Sequence, residues 1–291
     1  MIGTPSRPDG VRTHARPHHW FLLLVLVSTS VLTACGTAAT PTATPEPPLP
    51  EQLEITYIDN DCFLFAYRGQ RVLIDPHARI YPKTIRESMG SAAPPFGGLD
   101  LILVTHNHSD HFDANLVGAT LAASPHAILA ATQATVNDLE ARFAGFDKVK
   151  DRVQVFGPKE GERLQATLNG IDLEIVSLSH GGTTENLGFI IHIGGKKVLH
   201  TGDTYPRYIA TYDFSKDNLD VALVPYDFFI EPDSDWAGGQ QAALAGIRAR
   251  WFIPMHYAPT TSDKDEILRR VAEVCPNSIL FREAMETRVV D

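Results

Sequence analysis

Paired cysteines, an excess of basic residues and a long apolar run are all lacking in this chain. Its 291 residues include three cysteines, and none lies in a C-x-x-C pair, which argues against a zinc site built on thiolates. Acidic residues outnumber basic ones by 35 to 25, so the net charge of −10 argues against binding to nucleic acid. The apolar run at residues 20–32 is too short for a membrane-spanning helix, which needs roughly 20 residues.

Residues 1–34 have the pattern of a signal peptide. Three arginines precede the apolar run, and a basic region followed by a short apolar region is typical of export. The run ends in Leu-Thr-Ala-Cys at residues 32–35, which resembles a bacterial lipobox, where the chain is cut before a lipid-modified cysteine. We therefore predict lipidation of Cys35 and anchoring to the outer face of the cell membrane. The alternative is an ordinary signal peptide that is cut near Ala34.

Residues 35–52 are predicted to form a tether. Residues 36–50 contain five prolines and no aromatic residue, so they cannot build a core. In an extended form they would reach roughly 45 Å. The remaining cysteines, Cys62 and Cys275, could form a disulfide in an exported protein. Alternatively, Cys62 is simply buried, because it begins the apolar segment CFLFAY.

From residue 53 to residue 291 the pattern is that of one folded domain. Strands are predicted at LEITYI, CFLFAY, RVLID, LILVT, AILAA, VQVF, LEIVSL, GFIIHI, KVLHT, VALVP, WFIPM and SILF. Helices are predicted near residues 115–123, 135–143 and 207–212, and at GQQAALAGIRA and KDEILRRVAEV. Residues 78–98 read as a long loop over the functional site. This mixture predicts two sheets with helices outside them.

Ionisable residues follow several of these strands directly. LILVT is followed by His106, His108, Asp110 and His111, and the later strands LEIVSL, KVLHT and WFIPM are followed by His180, Asp203 and His256 respectively. Polar groups beside a core cost free energy unless they are partnered, and a metal ion is the partner that this set of side chains indicates. Imidazole and carboxylate ligands suit zinc, iron or manganese better than calcium.

The spacing in the first cluster is compatible with two metal positions. His106 and His108 are two residues apart and would face the same side of an extended chain. Asp110 and His111 follow where the chain turns, so they could point to a second position. Two positions about 3.5–4 Å apart are typical of dinuclear hydrolytic sites.

The ordered motifs resemble those of the metallo-β-lactamase superfamily. They are VLIDP at residues 72–76, HxHxDH at residues 106–111, the isolated His180, TGD ending at Asp203, and His256. The branch that contains ascorbate-6-phosphate lactonase is the most similar. The resemblance implies an α/β (α+β) domain, a four-layer αββα sandwich. It also implies a first metal on His106, His108 and His180, a second on Asp110, His111 and His256, and Asp203 bridging both.

The resemblance implies a metal-dependent hydrolase. Two divalent ions, zinc in preference to manganese or iron, would generate hydroxide that attacks an ester, lactone or phosphodiester of a small-molecule substrate, with Asp110 positioning the nucleophile. Two alternatives stay open: a lipid-anchored metal- or ligand-binding protein without turnover, and a mononuclear iron dioxygenase on the same fold.

Several residues near the motifs have supporting or structural interpretations. Asp75 is expected either to orient a metal ligand from behind or to cap a strand end, and His200 to support Asp203. Asp113 is expected to cap the helix that follows it. The histidines without motif support, His77, His126 and His192, are interpreted as exposed or satisfied within the fold.

Overall fold

Thirteen strands and seven helices make up the part of the chain that the structure describes. The computed structural model describes residues 50–182, 184–210, 212–230 and 239–291, so Cys35 and the predicted signal peptide lie outside it. The strands are β1 Leu53–Asp59, β2 Cys62–Tyr67, β3 Gln70–Ile74, β4 Leu101–Leu103, β5 Ile128–Ala131, β6 Val153–Val155, β7 Arg163–Leu168, β8 Ile171–Ser177, β9 Leu187–Ile193, β10 Lys196–His200, β11 Val221–Pro225, β12 Trp251–Met255 and β13 Glu286–Val290. The helices are α1 Lys83–Gly90, α2 Ala114–Ala123, α3 Gln133–Arg142, α4 Pro206–Ile209, α5 Asp227–Ile230, α6 Gln240–Ile247 and α7 Lys264–Val274.

The strands form two mixed sheets. The first has the order β13-β1-β2-β3-β4-β5-β6 and the second the order β12-β11-β10-β9-β8-β7. In the first sheet, β3 to β6 run parallel to one another, and in the second, β10 to β12 do. The carboxyl ends of parallel neighbours meet at one edge of a sheet, so the loops that follow these strands can come together.

Most strands are apolar at successive positions because each sheet is covered on both faces. In β2, Phe63 and Phe65 pack between the two sheets, whereas Cys62 and Leu64 pack under the helices of the first sheet. Helices α1 to α3 cover the outer face of the first sheet, and α4 to α7 cover that of the second. The four-layer αββα sandwich that the sequence predicts is therefore confirmed.

Three local predictions were wrong. SILF is not the last strand, because only Ser278 bridges to Phe252; the last strand is β13, whose charged residues suit an edge position. The edge strand β7 was missed since most of its residues are partly exposed. The segment at residues 78–98 is not one long loop over the site: it contains α1, whose Ile85 and Met89 pack against the first sheet, and its Arg79 lies beside Asp110 of the site.

The two cysteines within the described residues are free thiols. Cys62 and Cys275 are both buried, and they belong to the apolar clusters on opposite outer faces of the sandwich. A disulfide between them is therefore not formed, and the interpretation of Cys62 as a buried apolar residue is the correct one. In the described part of the chain, no helix is both long and apolar enough to cross a membrane.

Candidate metal centre

Side chains from both sheets meet at one edge of the sandwich. His106 follows β4 of the first sheet, and His180, Asp203 and His256 follow β8, β10 and β12 of the second. His256 has a backbone φ of +66°, a left-handed conformation that costs a non-glycine residue on the order of 1 kcal/mol or more. A bridge between Asn60 and Tyr257 holds this loop against the first sheet. The two sheets thus close around a common cluster of imidazoles and carboxylates.

The first group consists of three imidazoles. One ring nitrogen of each of His106, His108 and His180 lies within 4.8 Å of the others. Nε2 of His180 is 3.2 Å from Nδ1 of His108. Nε2 of His106 is buried and has no hydrogen-bond partner among the described residues. Three converging imidazole nitrogens, one of them buried and unpartnered, suit a divalent ion such as zinc.

The second group contains a residue that the sequence did not indicate. Its members are His111, His256 and Asp61, whose ligand atoms also lie within 4.8 Å of one another. Nε2 of His111 is buried without a hydrogen-bond partner in the described structure, and it lies 3.5 Å from Oδ2 of Asp61. Asp61 was missed because Asp-Asn-Asp between two strands is typical of a turn. The sequence signal is limited to a polar turn, Asp59 to Asp61, between two apolar strands.

Asp203 lies between the two groups. Its Oδ2 is 3.3 Å from Nε2 of His180 and 3.5 Å from Nε2 of His256. Its carboxylate also falls within 4.8 Å of the ligand nitrogens of His106 and His111. A carboxylate in this position can contact ions in both groups, which is the arrangement expected of a bridging residue.

Asp110 lies beside His256 and is partly exposed, and its role as a metal ligand stays a prediction. Its Oδ2 is 3.9 Å from Nε2 of His256 and 3.5 Å from the guanidinium of Arg79, whose side chain is 63% exposed. Burial raises the pKa of Asp110, but a backbone N–H and the guanidinium of Arg79 favour the ionised form, and the pKa lies below its usual value. Asp110 is therefore an ionised carboxylate at the edge of the cluster.

One buried carboxylate orients a histidine in each group. Asp75 accepts hydrogen bonds from the backbone N–H and the hydroxyl of Thr105, both at 2.8 Å, and from Nδ1 of His111 at 2.9 Å. Because the Thr105 hydroxyl donates to Asp75, it accepts from Nδ1 of His106 at 3.0 Å. Both histidines then carry their proton on Nδ1 and direct the lone pair of Nε2 into the site.

Burial keeps these imidazoles neutral. It is the largest cause that lowers the pKa of His106 and of His111, and neighbouring histidines lower both further. Burial also raises the pKa of Asp75 to about 7. Neutral imidazole is the form that binds a metal ion. Near pH 7, His106 and His111 therefore need not lose a proton before a metal ion binds.

His200 contacts Asp61 rather than Asp203. Its Nδ1 accepts from the backbone N–H of Gly202 at 3.1 Å, so its Nε2 carries the proton and donates to the carbonyl oxygen of Asp61 at 3.0 Å. Burial lowers the pKa of His200, which keeps this neutral form. The residue expected to support Asp203 thus fixes the turn that carries Asp61.

The remaining residues have structural contacts. The carboxylate of Asp113 accepts from the N–H of Leu116, which confirms the predicted helix cap. His77 is fully buried, with the N–H of Arg79 donating to its Nδ1, and His192 pairs with Glu174 at 2.9 Å. One residue beside the site had no sequence signal: the ring of Tyr205 stacks on that of His180 at 5.6 Å.

Comparison with known proteins assigns the family. The family model described as a beta-lactamase superfamily domain matches residues 70–257. A UPF0173 protein of Pyrococcus furiosus is 31% identical over 225 residues, which cover 73% of this chain and 87% of that protein. A UPF0173 metal-dependent hydrolase of Rubrobacter xylanophilus is 31% identical in a matched region that covers 70% of this chain and 81% of that protein.

Solved structures agree with the fold. The metallo-beta-lactamase fold protein YhfI of Bacillus subtilis has a TM-score of 0.58 at 14% identity, over 81% of this chain and 98% of that chain. A metallo hydrolase of Ignicoccus hospitalis has a TM-score of 0.57 at 20% identity, over 82% of this chain and 99% of that chain. The four-layer fold, the matched family model and the sequence relatives lead to one conclusion: this chain belongs to the metallo-β-lactamase superfamily.

Proposed function

We propose that this metal-dependent hydrolase carries a dinuclear centre and cleaves an ester, lactone or phosphodiester bond in a small molecule. The observation that carries the proposal is the shared position of Asp203 between two groups of candidate ligand atoms. His106, His108 and His180 would hold one ion, and Asp110, His111 and His256 a second. Zinc is the ion that these imidazoles favour, with manganese or iron as alternatives.

Two divalent ions would polarise the substrate and lower the pKa of a bound water toward about 7. The residues of the chain supply the geometry. Asp75 and Thr105 hold the lone pairs of two imidazoles on the site, and Asp203 offers its carboxylate to both groups. Asp110, ionised at the mouth, is placed to accept a hydrogen bond from the attacking water and to orient it. Arg79 beside it is open to solvent and can pair with an anionic substrate.

Metal removal and a substrate panel test this function. Protein treated with a chelator is expected to lose hydrolysis of at least one chromogenic lactone, phosphodiester or β-lactam, and Zn²⁺ or Mn²⁺ is expected to restore it. Hydrolysis that survives verified removal of metal would contradict the proposal. Tight binding without turnover would favour a binding protein. One iron per chain with oxygen uptake would favour a dioxygenase.

We also propose that the domain stands outside the cytoplasmic membrane, held by lipid on Cys35. The support is the basic and apolar leader that ends at the cysteine, followed by a proline-rich tether. Expressed with a labelled fatty acid, the full chain is expected to incorporate label and to sediment with membranes. Cys35→Ser should abolish both, whereas Cys275→Ala should preserve both. Label retained in the Cys35 variant would contradict the anchor.

A further inference from the structure

Asp61 is a buried carboxylate whose two oxygens accept fewer hydrogen bonds than they could. It lies in the turn between β1 and β2 and is 0% exposed. Its Oδ2 accepts a hydrogen bond from Nδ2 of Asn60 at 2.7 Å, while its Oδ1 is buried without a partner among the residues that the structure describes. Nε2 of His111 lies 3.5 Å from Oδ2 of Asp61 but is unprotonated and cannot donate to it.

This environment is costly for an anion. Burying a charge without a counter-charge is strongly unfavourable, so such groups in proteins are paired or coordinate a metal. Nε2 of His111 at the same point is an acceptor, and a cation satisfies this nitrogen and the carboxylate at once.

Three contacts hold the turn in place. His200 donates to the carbonyl oxygen of Asp61 at 3.0 Å. The backbone N–H of His256 donates to the carbonyl oxygen of Asn60 at 3.3 Å, and Nδ2 of Asn60 donates to the carbonyl oxygen of Asp110 at 3.3 Å. The turn is therefore attached to the loops that carry the other site residues. A carboxylate held this way is pre-organised, as a metal ligand requires.

We propose that Asp61 is a direct ligand of the second metal ion, in addition to Asp110, His111, His256 and the shared Asp203. This inference rests on the proposed function. It makes the two positions chemically different, since the first is lined by three imidazoles and the second by two imidazoles and additional carboxylates. Carboxylate is a better ligand for manganese than imidazole is, so the second position takes Mn²⁺ more readily than the first.

Asp61→Asn tests the assignment, with Asp59→Asn as the matched control. Asp59 lies two residues away and is 3% exposed, but it accepts from the backbone N–H of Tyr81 at 3.2 Å and belongs to neither ligand group. Metal-free full-length protein is titrated with Zn²⁺ and its metal content is measured. Asp61→Asn should keep one ion and bind the second at least ~100-fold more weakly, the upper end of what loss of a contact behind a ligand costs. Asp59→Asn should keep two ions.

Two further measurements separate a ligand from a structural residue. In protein preloaded with one Zn²⁺, the electron paramagnetic resonance of added Mn²⁺ should report binding to the wild type and not to the Asp61→Asn variant. Asp61→Ser keeps an acceptor for Asn60 and should lose the same ion. The thermal midpoint of metal-free Asp61→Asn should equal or exceed that of the wild type, because a buried unpaired charge is removed.

The outcomes distinguish this inference from the proposed function. Two ions with unchanged affinity in Asp61→Asn, while the wild type binds two and hydrolyses substrate, would overturn the role of Asp61 alone. A lower midpoint of the metal-free variant with unchanged metal binding would also overturn it and would make Asp61 a structural residue. A wild type that binds no metal would overturn both proposals.

Discussion

Asp75→Asn is expected to weaken both metal positions although Asp75 belongs to neither ligand group. The carboxylate accepts from three donors: the N–H of Thr105, its hydroxyl, and Nδ1 of His111. An amide offers one acceptor oxygen in place of two and turns its own N–H groups toward the remaining donors. His111 then loses its orientation directly. His106 loses its orientation through Thr105, whose hydroxyl no longer has a fixed direction.

The size of the effect follows from the number of ligands disturbed. Loss of a group that orients a metal-binding histidine costs about 10–100-fold in metal affinity, which is about 1.4–2.7 kcal/mol per position. Because His106 and His111 belong to different groups, each position should weaken by this amount. Thr105→Val removes only the hydroxyl that connects Asp75 to His106. It should therefore weaken the first position and leave the second within about threefold of the wild type.

Competition with a chromogenic chelator measures both affinities in metal-free protein titrated with Zn²⁺. Glu174→Gln is the control, since it removes a carboxylate–histidine contact of equal length, 2.9 Å to His192, away from the site. It should leave both affinities unchanged. Wild-type affinity at both positions in Asp75→Asn would refute the reasoning, and equal losses at both positions in Thr105→Val would refute the separate paths to His106 and His111.

Three further predictions concern stability and specificity. Burial lowers the pKa of His77 to about 4 from 6.5, so its contribution to stability is complete above pH 6.5 and is lost as the pH falls to 4, a loss of about 3 kcal/mol at 1.4 kcal/mol per pKa unit. Metal-free wild type and His77→Gln are compared by urea unfolding at pH 7 and at pH 4. The unfolding free energy of the variant relative to that of the wild type should rise by that amount from pH 7 to pH 4, and a difference that does not change with pH would contradict the prediction. Gly202→Ala should lower the unfolding free energy by about 1–3 kcal/mol more than Gly195→Ala does. Both glycines have positive φ, but at Gly202 a Cβ would also overlap the Asn186 side chain. Equal losses of unfolding free energy in urea would contradict the overlap. Arg79→Ala should raise KM about fivefold for an anionic phosphodiester and not for a neutral lactone, as expected for about 1 kcal/mol from an exposed charge pair, and equal changes for both substrates would show that Arg79 does not recognise charge.

The fold was readable from the sequence wherever strands are buried on both faces. The segments CFLFAY and LILVT are apolar at successive positions, and the structure places them as β2 and β4 between two layers. The failures lie at the margins of the sheets. Strands β7 and β13 each lie at a sheet edge, where one side meets solvent and polar residues interrupt the apolar pattern. Sequence patterns alone cannot separate such strands from loops.

The site was readable to the extent that its residues follow strands. His106, His180, Asp203 and His256 each come directly after an apolar run, and the structure gathers them at one edge. Asp61 also follows an apolar strand, β1, but Asp-Asn-Asp between two strands is typical of a turn, and its approach to His256 depends on the bridge between Asn60 and Tyr257 across most of the chain. Only the packing of one sheet against the other creates that contact, so no local pattern could reveal it.

The energetics of the site couple folding to metal binding. Asp75 and His256 have backbone φ values of +49° and +66°, each a strain on the order of 1–3 kcal/mol. Asp61 and Asp75 are carboxylates with no exposure, and burial raises the pKa of both. Bound cations would stabilise the ionised carboxylates by attraction, and their binding free energy would offset the backbone strain without removing it. A ligand present at 100 times its Kd stabilises the native state by about 2.7 kcal/mol. If the proposed function holds, the fold is therefore expected to be less stable without metal than with it.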